Sequence, residues 1–88
     1  IMKINPEGRI TDFEEKPKTP EALARARSSP DSLSRLGMSH AEDRPFLASM
    51  GIYLFNRSTL VELLASSNAT DFGKELFPLA IPNHRVQA

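Results

Sequence analysis

The run Phe46 to Phe55, FLASMGIYLF, constrains the fold more than any other part of this chain. It is the longest apolar stretch, flanked by Pro45 and Asn56 and interrupted by Ser49 and Gly51. A short apolar run between turn-forming residues predicts a strand buried on both faces. Ile52, Tyr53 and Phe55 favour strand over helix, being β-branched or aromatic. Ser49 then needs an explanation. A buried hydroxyl left unpaired costs about 1–3 kcal/mol, so it has a partner. That partner is either the protein's own backbone, the commoner arrangement, or a ligand.

Upstream, Met2 to Asn5 and Arg9 to Phe13 read as the arms of a β-hairpin. Asn5-Pro6-Glu7-Gly8 supplies the turn: proline presets φ, and Gly8 can take a positive one. The second arm alternates imperfectly, with Ile10 and Phe13 apolar and Arg9, Thr11 and Asp12 polar. Glu14-Glu15-Lys16-Pro17 comes next. Proline disfavours helical geometry in the residue before it and donates no hydrogen bond. The strand is expected to end there, with Lys16 extended and Glu15 and Lys16 on a stiff terminus. A solvated charge cluster is the ordinary reading of such a string.

Residues 18–45 form a polar excursion rich in proline and serine. Thr19 caps a short helix with Pro20 in its first position, Ser29 and Pro30 offer a second start, and Gly37 a stop. Ser39 and Glu42 have capping-box spacing. The prediction is short helical turns on the surface, not a packed layer. A connection this long is uncommon in a compact domain unless it is functional or disordered.

After the central run, Asn56 is a plausible helix cap, and Leu60, Leu63 and Leu64 make one apolar face to about Ser66. Thr70 or Asp71 caps a further helix with Phe72, Leu76, Leu79 and Ala80 on one side. Pro78 should kink or split it. Pro82-Asn83-His84 ends it, and Arg85 to Ala88 begins a last strand. The order β-hairpin, excursion, β, α, α, β suits part of an α/β domain with a mixed sheet. Because both ends fall in strand-like runs, the chain is expected to be an internal piece of a longer one.

Bulk properties exclude several function classes. The 88 residues make one domain at most and only a marginal core. Eleven basic and eleven acidic side chains balance to zero, which gives no electrostatic argument for nucleic acid or an anionic membrane. There is no cysteine, hence no disulfide framework or thiolate metal site. No apolar run reaches membrane-spanning length. Asp71-Phe72-Gly73 matches a kinase string, but a glycine-rich loop, strand lysine and catalytic loop are missing, so Asp71 reads as a cap. His40 and His84 lack metal-ligand spacing. Ser49 lacks a nucleophile elbow.

One constellation remains: Glu15 and Lys16 at a strand end, and Ser49 on a buried strand. Open α/β sheets bind ligands beyond the carboxyl ends of their strands. A carboxylate accepts from sugar hydroxyls, a lysine supplies point charge for a phosphate, and a serine hydroxyl donates. These are the residue types that a sugar phosphate needs.

EEKPK, RPFLASMGIYLF, TDFGKELFP and RVQA, in this order across essentially the whole chain, resemble the glucose-1-phosphate adenylyltransferases of cyanobacteria and plants. Residues 18–44 depart from that family's more familiar wording, keeping fragments such as Leu36-Gly37-Met38-Ser39. The resemblance implies a partial Rossmann-like nucleotidyltransferase domain, with residues 1–88 in its sugar-phosphate-binding part. It implies the conversion of ATP and α-D-glucose 1-phosphate to ADP-glucose and pyrophosphate, for starch or glycogen synthesis. It assigns Glu15 to the sugar hydroxyls, Lys16 to the phosphate and Ser49 to the sugar. Catalytic groups and the ligands of Mg²⁺ are expected outside this piece, which alone should be inactive. The complete protein is expected to be an allosteric tetramer of like or related subunits, in a cyanobacterial cytoplasm or a plastid stroma, with no nucleic-acid or membrane partner. A non-catalytic regulatory subunit, another sugar-nucleotide pyrophosphorylase and a stand-alone interaction module are the alternatives.

Overall fold

The computed structural model describes residues 1–88. Its frame is an antiparallel hairpin of β1 (Met2–Ile4) and β2 (Ile10–Phe13). The turn is held as its residues require. Gly8 has φ +75°, its N–H donates to the Asn5 carbonyl at 2.9 Å, and the Asn5 side chain accepts from Glu7 and Arg9. The imperfect alternation of β2 has a cause. Lys3 pairs with Asp12 and Ile4 with Ile10, so Thr11 is the extra residue of a β-bulge. The bulge turns both Ile10 and Phe13 towards the core.

The excursion contains the two predicted helices, α1 (Pro20–Ala26) and α2 (Pro30–Arg35). Thr19 and Ser29 cap them, accepting from the N–H groups of Ala22 and Ser32. Helix α2 stops in a Schellman arrangement: Gly37, at φ +81°, donates to Ser34, and Met38 donates to Leu33. Ser39 to Asp43 forms turns rather than a helix, with His40 at φ +59°. The excursion also packs more closely than a surface feature would. Leu33 is wholly buried and Ala41 nearly so, in one cluster with Ile4 and Ile10. Buried Ser28 accepts from the Ile4 N–H at 3.1 Å, joining the excursion to β1.

The main correction concerns Phe46 to Phe55. It is extended but is not a buried strand. One bridge, Leu47 to Met2, attaches it to the hairpin, and residues 48–55 make no backbone–backbone hydrogen bond. The period of two survives: Leu47, Ser49, Tyr53 and Phe55 are half-buried, whereas Met50, Ile52 and Leu54 are 85, 76 and 100% exposed. Burial on both faces needs neighbouring elements on both, and these residues supply only one. Arg85 to Ala88 likewise contributes a single bridge, Gln87 to Arg9, on the outer edge of β2. The sheet is therefore two-stranded and antiparallel, within a small mixed α/β fold.

Helix α3 (Arg57–Ala65) is capped by Asn56 and buries Leu63. Asp71, not Thr70, caps the next element, accepting from the Lys74 N–H at 2.8 Å. Pro78 does not break that element: a π-turn (Phe72–Leu76) runs into the short α4 (Phe77–Ala80) with helical backbone through the junction, and Pro78 sits in the first turn of α4, where its missing N–H is tolerated. The wider turn changes which residues face inward. Leu76, Phe77 and Ala80 are buried, while Leu79, expected inside, is half exposed. Leu63, Leu76 and Ala80 form a second cluster, joined to the first through Val86. No helix is long and apolar enough to cross a membrane.

Candidate functional site

Phe13 closes β2 and leads into Glu14, Glu15 and Lys16. The stiff, extended terminus expected at this point does not form. Lys16 sits in a bend at φ +47°, the left-handed region, directly before Pro17. A side-chain-bearing residue there carries about 1–2 kcal/mol of steric cost. The clash of the Pro17 Cδ with Lys16 disfavours right-handed helical geometry there, and the observed bend avoids that region by a positive φ. The bend directs the lysine outward. Its ammonium is 3.9 Å from the Glu15 carboxylate, with the Lys16 side chain 81% and the Glu15 side chain 30% exposed. An ion pair this long and wet contributes little to stability. Glu14 is braced from α1 by Arg25 at 3.6 Å.

Ser49 is partnered within the chain. Its hydroxyl accepts from the Gly51 N–H at 3.1 Å, in a turn that Gly51 completes at φ +76°. It also shares a hydrogen bond of 3.1 Å with the Tyr53 hydroxyl. Both the backbone and a side chain therefore satisfy it. With Tyr53 donating, both acceptor positions of Ser49 are used and its own proton is free for an incoming acceptor.

Tyr53 ties Ser49 to the acidic end of β2. Its ring meets Phe77 edge-on at 4.8 Å between centroids, and Phe77 stacks on Phe13 at 5.2 Å. Phe72 stacks on Tyr53 at 5.7 Å and lies 6.3 Å from Phe77, so the three rings form one cluster. Such pairs add about 0.5–1.5 kcal/mol each beyond the area they bury. The aromatic cluster thus places the Ser49 turn and the Glu15 bend on one scaffold. They do not line one cavity, however. A mainly apolar cavity of about 970 Å³ is lined by Ser49, Tyr53 and Phe13, whereas Glu15 and Lys16 lie outside it.

The π-turn approaches Glu15 closely. A β-carbon placed on Gly73 would lie 2.6 Å from Glu15 Oε2 and 3.2 Å from a ring carbon of Phe13. Two of the motifs read from the sequence, EEKP and DFGKELFP, therefore meet in space. Further along the same element, Glu75 Oε2 accepts from the N–H groups of Thr70 and Asp71 at 2.6 and 3.1 Å. The Thr70 backbone bond, then that of Asp71, holds the Glu75 carboxyl below the usual carboxylate range. Asp71 and Glu75 thus cap the turn reciprocally. Tyr53, Gly73 and Glu75 were not singled out by the sequence. Asp71 with Glu75 four residues on was a visible capping signal, but nothing local revealed the partners of Gly73 or Tyr53.

No three His, Asp or Glu side chains converge as metal ligands. What Glu15, Lys16 and Ser49 offer is an exposed ammonium beside a carboxylate and, outside that bend, a hydroxyl held by Gly51 and Tyr53. These are groups of the kind that hydrogen-bond hydroxyls and anions. The sequence model of the nucleotidyl transferase family matches residues 1–88, the whole chain. With a mixed α/β frame carrying its polar groups at the end of a strand, the chain belongs to the nucleotidyl transferase family.

Proposed function

We propose that the chain is the sugar-phosphate-binding part of a glucose-1-phosphate adenylyltransferase. The observation that carries this reading is the Glu15–Lys16 bend, joined through Phe13, Phe77 and Tyr53 to Ser49. Family membership supports a nucleotidyl transfer, and the motif series supports glucose 1-phosphate and ATP as its substrates. In the proposed reaction, a phosphate oxygen of the sugar phosphate attacks the α-phosphorus of ATP. A new P–O bond forms, the bond from the α-phosphorus to the bridging oxygen breaks, and pyrophosphate leaves.

Each residue of this chain has a defined part in that proposal. Lys16 offsets the charge of the sugar phosphate and so lowers repulsion between two anions. Glu15 accepts from sugar hydroxyls and fixes which face of the ring is presented. Ser49 donates to the sugar from a geometry set by Gly51 and Tyr53. All three act by binding and orientation, which supply much of the rate in such transfers. The nucleotide-binding groups and the ligands of Mg²⁺ belong, in this reading, to a longer protein.

The test is an assay of the complete protein with each nucleoside triphosphate paired with each of several sugar phosphates. Selective formation of ADP-glucose from ATP and glucose 1-phosphate is the expected result. Preference for another nucleotide would replace the proposal with another sugar-nucleotide pyrophosphorylase. Sugar-phosphate binding without turnover would favour a regulatory subunit.

A further inference from the structure

We infer that Gly73 is a positioning residue for the sugar-phosphate site, its missing side chain being the slot in which the Glu15 carboxylate rests. The inference rests on the role proposed above for Glu15 and adds a residue to that site. Gly73 is not needed for backbone freedom: it lies within the π-turn, with no left-handed φ. It is needed for space. A methyl group there would reach to 2.6 Å from Glu15 Oε2 and 3.3 Å from Glu15 Cδ, well inside contact distance. Its other neighbour, at 3.2 Å, is the Phe13 ring, which is itself stacked on Phe77. The ring is hemmed in and the carboxylate is not, so the carboxylate is what moves.

This geometry makes Gly73→Ala an unusually clean perturbation. Alanine favours helical backbone over glycine, so the change carries no conformational penalty. The displaced atom is the end of a flexible, partly exposed side chain, so folding should be little affected. Sugar orientation should suffer, because a carboxylate moved by an ångström no longer meets the same hydroxyls. Asp71 and Glu75, which hold the π-turn in register, keep Gly73 at this distance.

The experiment is a double-mutant cycle of Gly73→Ala and Glu15→Ala in the complete protein, with thermal unfolding and the KM of each substrate measured for every variant. Gly73→Ala is expected to raise the KM for glucose 1-phosphate by about tenfold, with the KM for ATP and the Tm nearly unchanged. On the Glu15→Ala background it should have no further effect. If Gly73→Ala raises that KM equally on both backgrounds, or lowers Tm without splitting the two KM values, the inference is wrong. If Glu15→Ala raises the KM for glucose 1-phosphate and Gly73→Ala does not, the inference fails while the role of Glu15 stands. If Glu15→Ala leaves that KM unchanged, both are overturned.

Discussion

The Lys16→Ala substitution separates a binding role from a folding role. The Lys16 side chain is 81% exposed, and its ion pair with Glu15 is 3.9 Å long. Loss of such a contact changes stability by no more than about 0.5 kcal/mol. Alanine also has a β-carbon, so the steric cost of φ +47° is the same before and after, and the bend is retained. Folding is thus expected to be unaffected. Binding should respond strongly, since a charge-assisted hydrogen bond to phosphate is worth about 1.5–3 kcal/mol. That corresponds to about a ten- to hundredfold rise in the KM for glucose 1-phosphate. Steady-state kinetics of the complete protein, with each substrate varied in turn, reads the effect. Thermal unfolding provides the control. Equal rises for both substrates, or a fall in Tm that accounts for the loss, would refute the reasoning.

Three further expectations rest on particular contacts. Ser49→Ala should raise the same KM less than Lys16→Ala does, because a neutral hydroxyl is worth about 0.5–1.5 kcal/mol; if only Tm falls, Ser49 serves the Gly51 turn and Tyr53 alone. The lowered pKa of Glu75 means that its contribution is complete above the ordinary Glu value of about 4.3 and is lost as pH falls through the lowered folded value. The Tm difference between the native chain and Glu75→Gln should accordingly be present at about pH 6 and vanish in strong acid, and a difference that grows in acid would contradict the assigned sign. Leu54→Asp should change the stability of the 88-residue chain by no more than about 0.5 kcal/mol, since Leu54 is 100% exposed. In a longer protein where FLASMGIYLF is buried on both faces, it should cost more than about 3 kcal/mol by urea denaturation; equal small effects in both would remove the expectation that these residues are an internal piece.

What the sequence made legible was local. Thr19, Ser29, Asn56 and Asp71 cap elements where expected, and Gly37 ends α2, because each signal acts within about four residues of itself. Pro78 marks the change from π-turn to α4 without splitting the helix. The hairpin was legible through its turn, although the bulge at Thr11 had to be seen before the pairing of Ile10 with Ile4 made sense. What failed was non-local or depended on a changed period. Strand formation over Phe46–Phe55 needs partners elsewhere in the chain, and only Met2 provides one. The inward turn of Phe77 in place of Leu79 comes from the π-turn, which no apolar pattern announces. Lys16 departs from the geometry that Pro17 favours. Strain of this kind at a candidate ligand is a recurring feature of functional sites.

The most direct test of the central claim is a crystal structure of the complete protein with glucose 1-phosphate bound. The account predicts Lys16 Nζ within about 3 Å of a phosphate oxygen, Glu15 accepting from sugar hydroxyls over Gly73, and the Ser49 hydroxyl donating to the sugar. A sugar phosphate seated away from the Glu15–Lys16 bend, with both side chains left in solvent, would contradict it.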